Sequence, residues 1–159
     1  MAHIHEKIDY AADVLVVHNR RVLLRMHDKY KMWLAVGGHI ELDEDPLEAA
    51  VREVKEEVGL DVTIFGSIDP EILAAQQNDS KEILPPRFIN RHRINETHEH
   101  ISLLYFATSE SDDVKPEYAD DKSDEWHWFT KEELIENSQG VPELMRLYAL
   151  SALQTVCDL

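Results

Sequence analysis

The sequence predicts an α/β fold on three observations. Six short apolar or alternating runs have strand character, at 11–17, 21–25, 32–36, 62–68, 98–107 and 125–129. Between the third and fourth lies a helix signal with both ends marked, from Asp45 to Gly59. A second helical periodicity begins near Pro142. Strands interrupted by amphipathic helices call for helices packed on a sheet, because each needs a partner for its apolar face. At 159 residues, with no repeat, low-complexity tract or dividing linker, the expectation is a single domain over 1–159.

Ala11 to Val17 (AADVLVV) is apolar and partly β-branched, and Arg21 to Arg25 (RVLLR) follows after Asn19-Arg20. Together they read as a hairpin with those two residues as its turn. Lys29 to Lys31 reads as loop, and Met32 to Val36 as a buried strand running into Gly37-Gly38. Glycines at that point let the main chain approach a ligand closely.

The helix that follows has Asp45 as N-cap, Pro46 at its first position, Glu48 completing a capping box and Gly59 as a left-handed stop. Leu47, Ala50, Val51, Val54 and Val58 form an apolar stripe. Glu53, Glu56 and Glu57 fall in an arc of roughly 100° beside it. Glutamates in a last helical turn oppose the helix dipole, at about 0.3–1 kcal/mol each when exposed. A divalent cation among them removes that conflict, since Mg²⁺, Mn²⁺ and Ca²⁺ prefer hard oxygen ligands.

Val62 to Ile68 reads as a strand. The span from Glu71 to Thr97 shows no clear period and reads as a long loop. Its basic residues Arg87, Arg91, His92 and Arg93 make it the expected place of substrate recognition in an otherwise acidic chain. In His98 to Ala107 alternation sets His98, His100 and Ser102 on one face and Glu99, Ile101 and Leu103 on the other. Asp112 to Asp124 is an acidic loop, and Glu125 to Phe129 the last strand. Thr130 and Glu133 form a second capping box for a helix over 131–136. In the final helix Leu144, Leu147, Tyr148 and Leu150 to Leu153 form the expected apolar face.

The stretch from Gly38 to Leu60 resembles the box of the Nudix hydrolases without exception. It reads Gly38, five residues, Glu44, seven residues, then Arg52-Glu53-Val54-Lys55-Glu56-Glu57-Val58-Gly59-Leu60. At average residue usage such a match arises by chance on the order of 10⁻⁹ per start position. The resemblance implies an α/β/α sandwich with a mixed sheet. It also implies hydrolysis of a phosphoanhydride bond in a nucleoside diphosphate linked to another group, dependent on Mg²⁺ or Mn²⁺. By the same resemblance Glu53, Glu56 and Glu57 are metal ligands and Gly37 supplies a carbonyl ligand. Arg52 and Glu44 orient the helix and loop, and Glu53 also activates water. Asp121 is the positional match for a further carboxylate, with Asp120, Glu99, His98 and His100 as alternatives. Glu56→Gln or Glu57→Gln is then expected to lower turnover by orders of magnitude while leaving the fold intact.

The marks of particular substrates lie after the box. The proline of ADP-ribose hydrolases is replaced by Ala75 and Gln76, and the tyrosine of diadenosine polyphosphate hydrolases and the coenzyme A signature are missing. This leaves a nucleoside triphosphate or sugar nucleotide. Trp33, Phe88 and Tyr105 are candidates for stacking on a base. The rival reading is a nucleotide-binding module that keeps the fold without turnover. A net charge of −16 argues against a nucleic-acid polymer as partner. No run of 18 apolar residues, no secretion signal and a lone cysteine, Cys157, fit a cytoplasmic protein away from membranes. Dimers recur in the family, so a homodimer is compatible with the resemblance.

Overall fold

The computed structural model describes residues 7–76, 80–116 and 125–158. Its strands are β1 (Ile8–His18), β2 (Arg21–His27), β3 (Met32–Leu34), β4 (Val36–His39), β5 (Val62–Ile64), β6 (Phe88–Arg93), β7 (Glu99–Ser109) and β8 (Trp126–Phe129). Helices are α1 (Pro46–Val58), α2 (Pro70–Ala74), α3 (Lys131–Glu136) and α4 (Glu143–Cys157). The strands form one mixed sheet centred on β1 and β7, which run parallel in register from Ile8↔Glu99 to Val17↔Thr108. Each has two antiparallel partners on its other edge. On β1, β4 covers Ala11 to Val14 and β2 covers Val17 and His18. On β7, β6 covers Glu99 to Leu104 and β5 covers Ala107 to Ser109. The sheet therefore splits into two arms, and one of them is the four strands β4, β1, β7 and β6.

Alternation along β1 decides the layers. Ala12, Val14 and Val16 pack with Ala49, Ala50, Val54 and Val58 of α1, while Leu15 and Val17 pack with Ala149, Ala152 and Leu153 of α4. Helices on both faces give the α/β/α sandwich that the sequence implied. The hairpin turn at Asn19 and Arg20 has φ of 45° and 61°, the left-handed pair a two-residue hairpin needs.

The box helix forms with the expected caps. Asp45 accepts from the Leu47 and Glu48 N–H groups, Glu48 reaches back to the Asp45 N–H, and Gly59 ends the helix at φ 70°. A Cβ at Gly59 would overlap the carbonyl of Lys115, whose N–H donates to Val58. Gly59→Ala is therefore expected to destabilise the protein by at least about 1–2 kcal/mol, from the left-handed φ alone. Chemical denaturation measures it.

Five expectations need correction, and the first is the strand read at 62–68, which ends at Ile64 as β5. The span read as loop contains α2 and the edge strand β6. Met32 to Val36 divides into β3 and β4, which pair with different strands, β2 and β1. On α1 the buried stripe uses Ala49, and Val51 is 41% exposed. On α4 Leu144 and Leu147 are exposed, and Ala149, Ala152 and Leu153 carry the packing. In each helix a small residue faces the sheet, because helix and sheet approach closely only where side chains are short. Among the described residues no helix is long and apolar enough to cross a membrane.

Candidate active site

The candidate site lies where α1 crosses the arm of the sheet carrying β4. Gly38 points to the α1 side, and a Cβ there would come within 2.5 Å of the Glu53 Oε1. Glycine is required because the Glu53 carboxylate packs directly on the strand. Gly37 has φ 156°, and its N–H donates to Glu57 Oε2 at 3.0 Å. The glycine pair thus seats two of the three box carboxylates, and the residue expected to offer its carbonyl is the one whose N–H holds Glu57.

Arg52 gathers the rest. Its Nε and Nη2 form a fork on Glu44 at 2.9 and 2.5 Å, and Nη1 lies 2.8 Å from Glu53 and 3.1 Å from Glu56. Nη2 also donates to the His39 carbonyl at 3.0 Å, which ties the helix to the end of β4. Glu57 is buried against Arg25 of β2 at 2.6 Å. Arg25 escaped the sequence reading because only the pairing of β2 into the sheet brings it under the last turn of α1.

Burial lifts the Glu53 pKa above the ordinary carboxylate value, the charges of Glu56 and Glu44 add to it, and Arg52 opposes. The hydrogen bonds from Arg52 lower the pKa of Glu44, and the Glu44 partner raises that of Arg52. Acidic oxygens held close, one of them with its pKa raised by burial, form a donor set that a hard divalent cation stabilises. Glu53, Glu56 and Glu57 fit such an ion by donor type.

An open cleft of about 620 Å³ flanks this edge of α1, lined by Asp45, Val51, Arg52, Lys55, Glu56 and Lys81 among others. Val51 is exposed because it lines this cleft. A smaller cleft of about 220 Å³ lies between Lys7, Arg91, Arg93, Glu96, Thr97 and Glu99. The basic group of the sequence is thus divided. Arg91 and Arg93 pair across from Ile101 and Glu99, on the α1 face, while His92 pairs across from His100, on the other face. Arg91 is engaged with Glu99.

Of the residues proposed for a fourth ligand, Asp120 and Asp121 lie outside the described residues. His98 and His100 face away from α1, on the side of Leu104 and Phe106. The stacking candidates are occupied: Trp33 and Tyr105 are buried, and Phe88 stacks on Tyr148 with ring centres 4.6 Å apart. Tyr10, which the sequence reading passed over, is 49% exposed. It lies two residues before Ala12, on the face where Ala12 pairs with Gly38.

On the α4 face, the side chains of Asp9, His39, His98 and His100 form a group able to hold a metal. Burial and the neighbouring His39, His92 and His98 push the His100 pKa down to about 4.

A model of the NUDIX domain matches residues 7–150 of this chain. A crystal structure described as a hydrolase of the NUDIX family from Clostridium perfringens superposes with a TM-score of 0.83 at 33% identity. It covers 93% of this chain and 97% of that one. A Lactococcus lactis subsp. cremoris (strain MG1363) protein named "Probable DHNTP pyrophosphohydrolase" is 26% identical over 113 residues, 70% of this chain and 61% of that protein. The dihydroneopterin triphosphate diphosphatase of Haemophilus influenzae (strain ATCC 51907 / DSM 11121 / KW20 / Rd) is 44% identical over 45 residues, 28% of each. The matches thus span less than two thirds of the length of these two curated relatives.

Proposed function

Since this chain belongs to the Nudix hydrolase family, we propose that it is a divalent-metal-dependent pyrophosphohydrolase. It acts, as one domain over 1–159, on the phosphoanhydride bond of a nucleoside diphosphate linked to another group, or of the analogous pterin triphosphate. The favoured substrates are triphosphates, of a nucleoside or of a pterin as in the names of two relatives, with sugar nucleotides next. The observation that carries this reading is the gathering of Glu53, Glu56 and Glu57 about Arg52 and Arg25, beside an open cleft.

In this reading Glu53, Glu56, Glu57 and the Gly37 carbonyl hold Mg²⁺ or Mn²⁺, with Asp121 as a further carboxylate. An ion held there would offset charge on the phosphate oxygens and lower the pKa of bound water. Arg52, clamped by Glu44, fixes the angle between helix and loop so that Glu53 stays aimed at the attacking water. Burial raises the Glu53 pKa in the metal-free protein; a bound cation would lower it again and leave the ionised carboxylate free to accept that water's proton. Arg25 and the Gly37 N–H hold Glu57 in a single orientation. Reaction is in-line attack at phosphorus, governed by positioning and electrostatics. Cytoplasmic location, a small-molecule rather than polymeric substrate, and a homodimer belong to the same reading.

Tyr10 is the platform we assign to the substrate's ring. Loss of a stacked ring costs about 1–3 kcal/mol. Tyr10→Ala is therefore expected to raise KM by about tenfold with kcat little changed. Steady-state kinetics on the best substrate separates the two constants.

The test of function is phosphate release from a panel of nucleoside and pterin triphosphates, sugar nucleotides, ADP-ribose and diadenosine tetraphosphate, with Mg²⁺ or Mn²⁺. Each triphosphate is assayed with and without pyrophosphatase, and a phosphatase replaces it where the products are phosphomonoesters. Metal-dependent release from a triphosphate only with pyrophosphatase is the expected result. Silence across the panel would contradict the reading.

A further inference from the structure

The sheet face turned away from α1 carries a cluster that the box chemistry does not use. Asp9 comes from β1, His39 from the end of β4, His98 from the residue just before β7 and His100 from the start of β7. Strand register brings them together: Asp9 pairs across from His100, and His39 across from Ala11, one pleat along the same face. Asp9 Oδ2 lies 3.2 Å from His98 Nε2 and 3.4 Å from His39 Nε2. His39 Nε2 lies 3.2 Å from His100 Nε2. One ligand atom from each of the four lies within 4.8 Å of the others.

We propose that Asp9, His39, His98 and His100 form a second metal centre, distinct from the box, that takes a zinc-class divalent transition ion. Four donors at about 2.0–2.1 Å from a tetrahedral ion stand about 3.3–3.4 Å apart. Three of the measured separations, at 3.2, 3.4 and 3.2 Å, are close to that value. Donor chemistry agrees, since three imidazoles and one carboxylate select zinc and its transition-metal neighbours over Mg²⁺. The box offers only oxygen and has the opposite preference. Asp9 is 1% exposed, and a cation among neutral imidazoles offsets the cost of burying its charge.

The two centres are separated by the sheet. Gly38 faces Glu53 on the α1 side, and the next residue, His39, turns its ring to the other side. With four protein donors the second site is closed, which marks it as structural rather than catalytic. Its position explains what it would hold. The carbonyl of His39 accepts from Arg52, so an ion gripping the His39 ring pins the strand end against which Arg52 sets the box helix.

The experiment uses the full chain with His3 and His5 replaced by alanine, stripped with chelator and then loaded with Zn²⁺ or Co²⁺. Zinc content is read by mass spectrometry, coordination by the visible bands of Co²⁺, and folding by circular dichroism. The chain and its Glu56→Gln variant should each retain one zinc, show the intense bands of four-coordinate Co²⁺, and melt higher with zinc. In Asp9→Asn and His100→Gln the bands should vanish and zinc should bind at least about 100-fold more weakly. His100 is only half-buried, so His100→Gln keeps the test valid if Asp9→Asn fails to fold. Absence of tight zinc in the parent chain would overturn the proposal and leave a hydrogen-bonded His–Asp cluster. Binding that survives His100→Gln, or is lost in Glu56→Gln, would overturn it equally.

Discussion

Glu56→Gln is expected to lower kcat by two to four orders of magnitude, about 3–5 kcal/mol of transition-state stabilisation, while the protein stays folded. Glu56 sits in the last turn of α1 with its side chain 32% exposed. Its one described ion pair is the 3.1 Å contact with Arg52, which keeps Glu44 and Glu53 as partners. Partly exposed pairs of this kind contribute about 0–1 kcal/mol, so stability should hardly change. Of the three box carboxylates, Glu56 is the one that lines the cleft beside α1. Glu57→Gln is a poorer probe than the sequence suggested. Its carboxylate is buried against Arg25, and a neutral partner there leaves a buried guanidinium uncompensated. Turnover lost in that variant would mix a chemical cause with a structural one. Steady-state turnover and a urea melt of both variants separate these effects.

Gly38→Ala is the second large effect, expected at about 100-fold in kcat. The added methyl would come within 2.5 Å of the Glu53 carboxylate. That carboxylate is buried and held by Arg52, so it cannot swing into solvent and has to shift within the site. A misplacement of about 1 Å in a catalytic group is enough for such a loss. The backbone at Gly38 is not left-handed, so alanine adds no φ strain and its effect reports on Glu53. Kinetics should show the loss in kcat rather than KM, with the melting temperature lowered only slightly.

Much of the site was legible because its grammar is local. Asp45, Pro46, Glu48 and Gly59 define α1 to the residue, and Thr130 with Glu133 does the same for α3. Alternation placed His100 and Ser102 of β7 on one face correctly, and His98, just ahead of the strand, groups with His100. What stayed hidden depends on pairing between distant strands. FINRHR has no apolar period to mark it as β6, and it becomes a strand because β7 offers an edge. Arg25 meets Glu57, and Asp9 meets His39 and His98, only once register is set across the sheet. Likewise Val51 on α1 and Leu144 on α4 fit an apolar period, yet the shorter Ala49 and Ala152 take the closest approach to the sheet.

The central claim is that the carboxylates of α1 hold a divalent ion. The most direct measurement is Mn²⁺ binding followed by electron paramagnetic resonance, which reads occupancy without turnover. It is made in the His100→Gln background, so that the cluster on the other face of the sheet does not contribute. One Mn²⁺ per chain is expected, with affinity falling at least about tenfold when Glu56→Gln is added. Equal Mn²⁺ binding with and without Glu56 would contradict the claim.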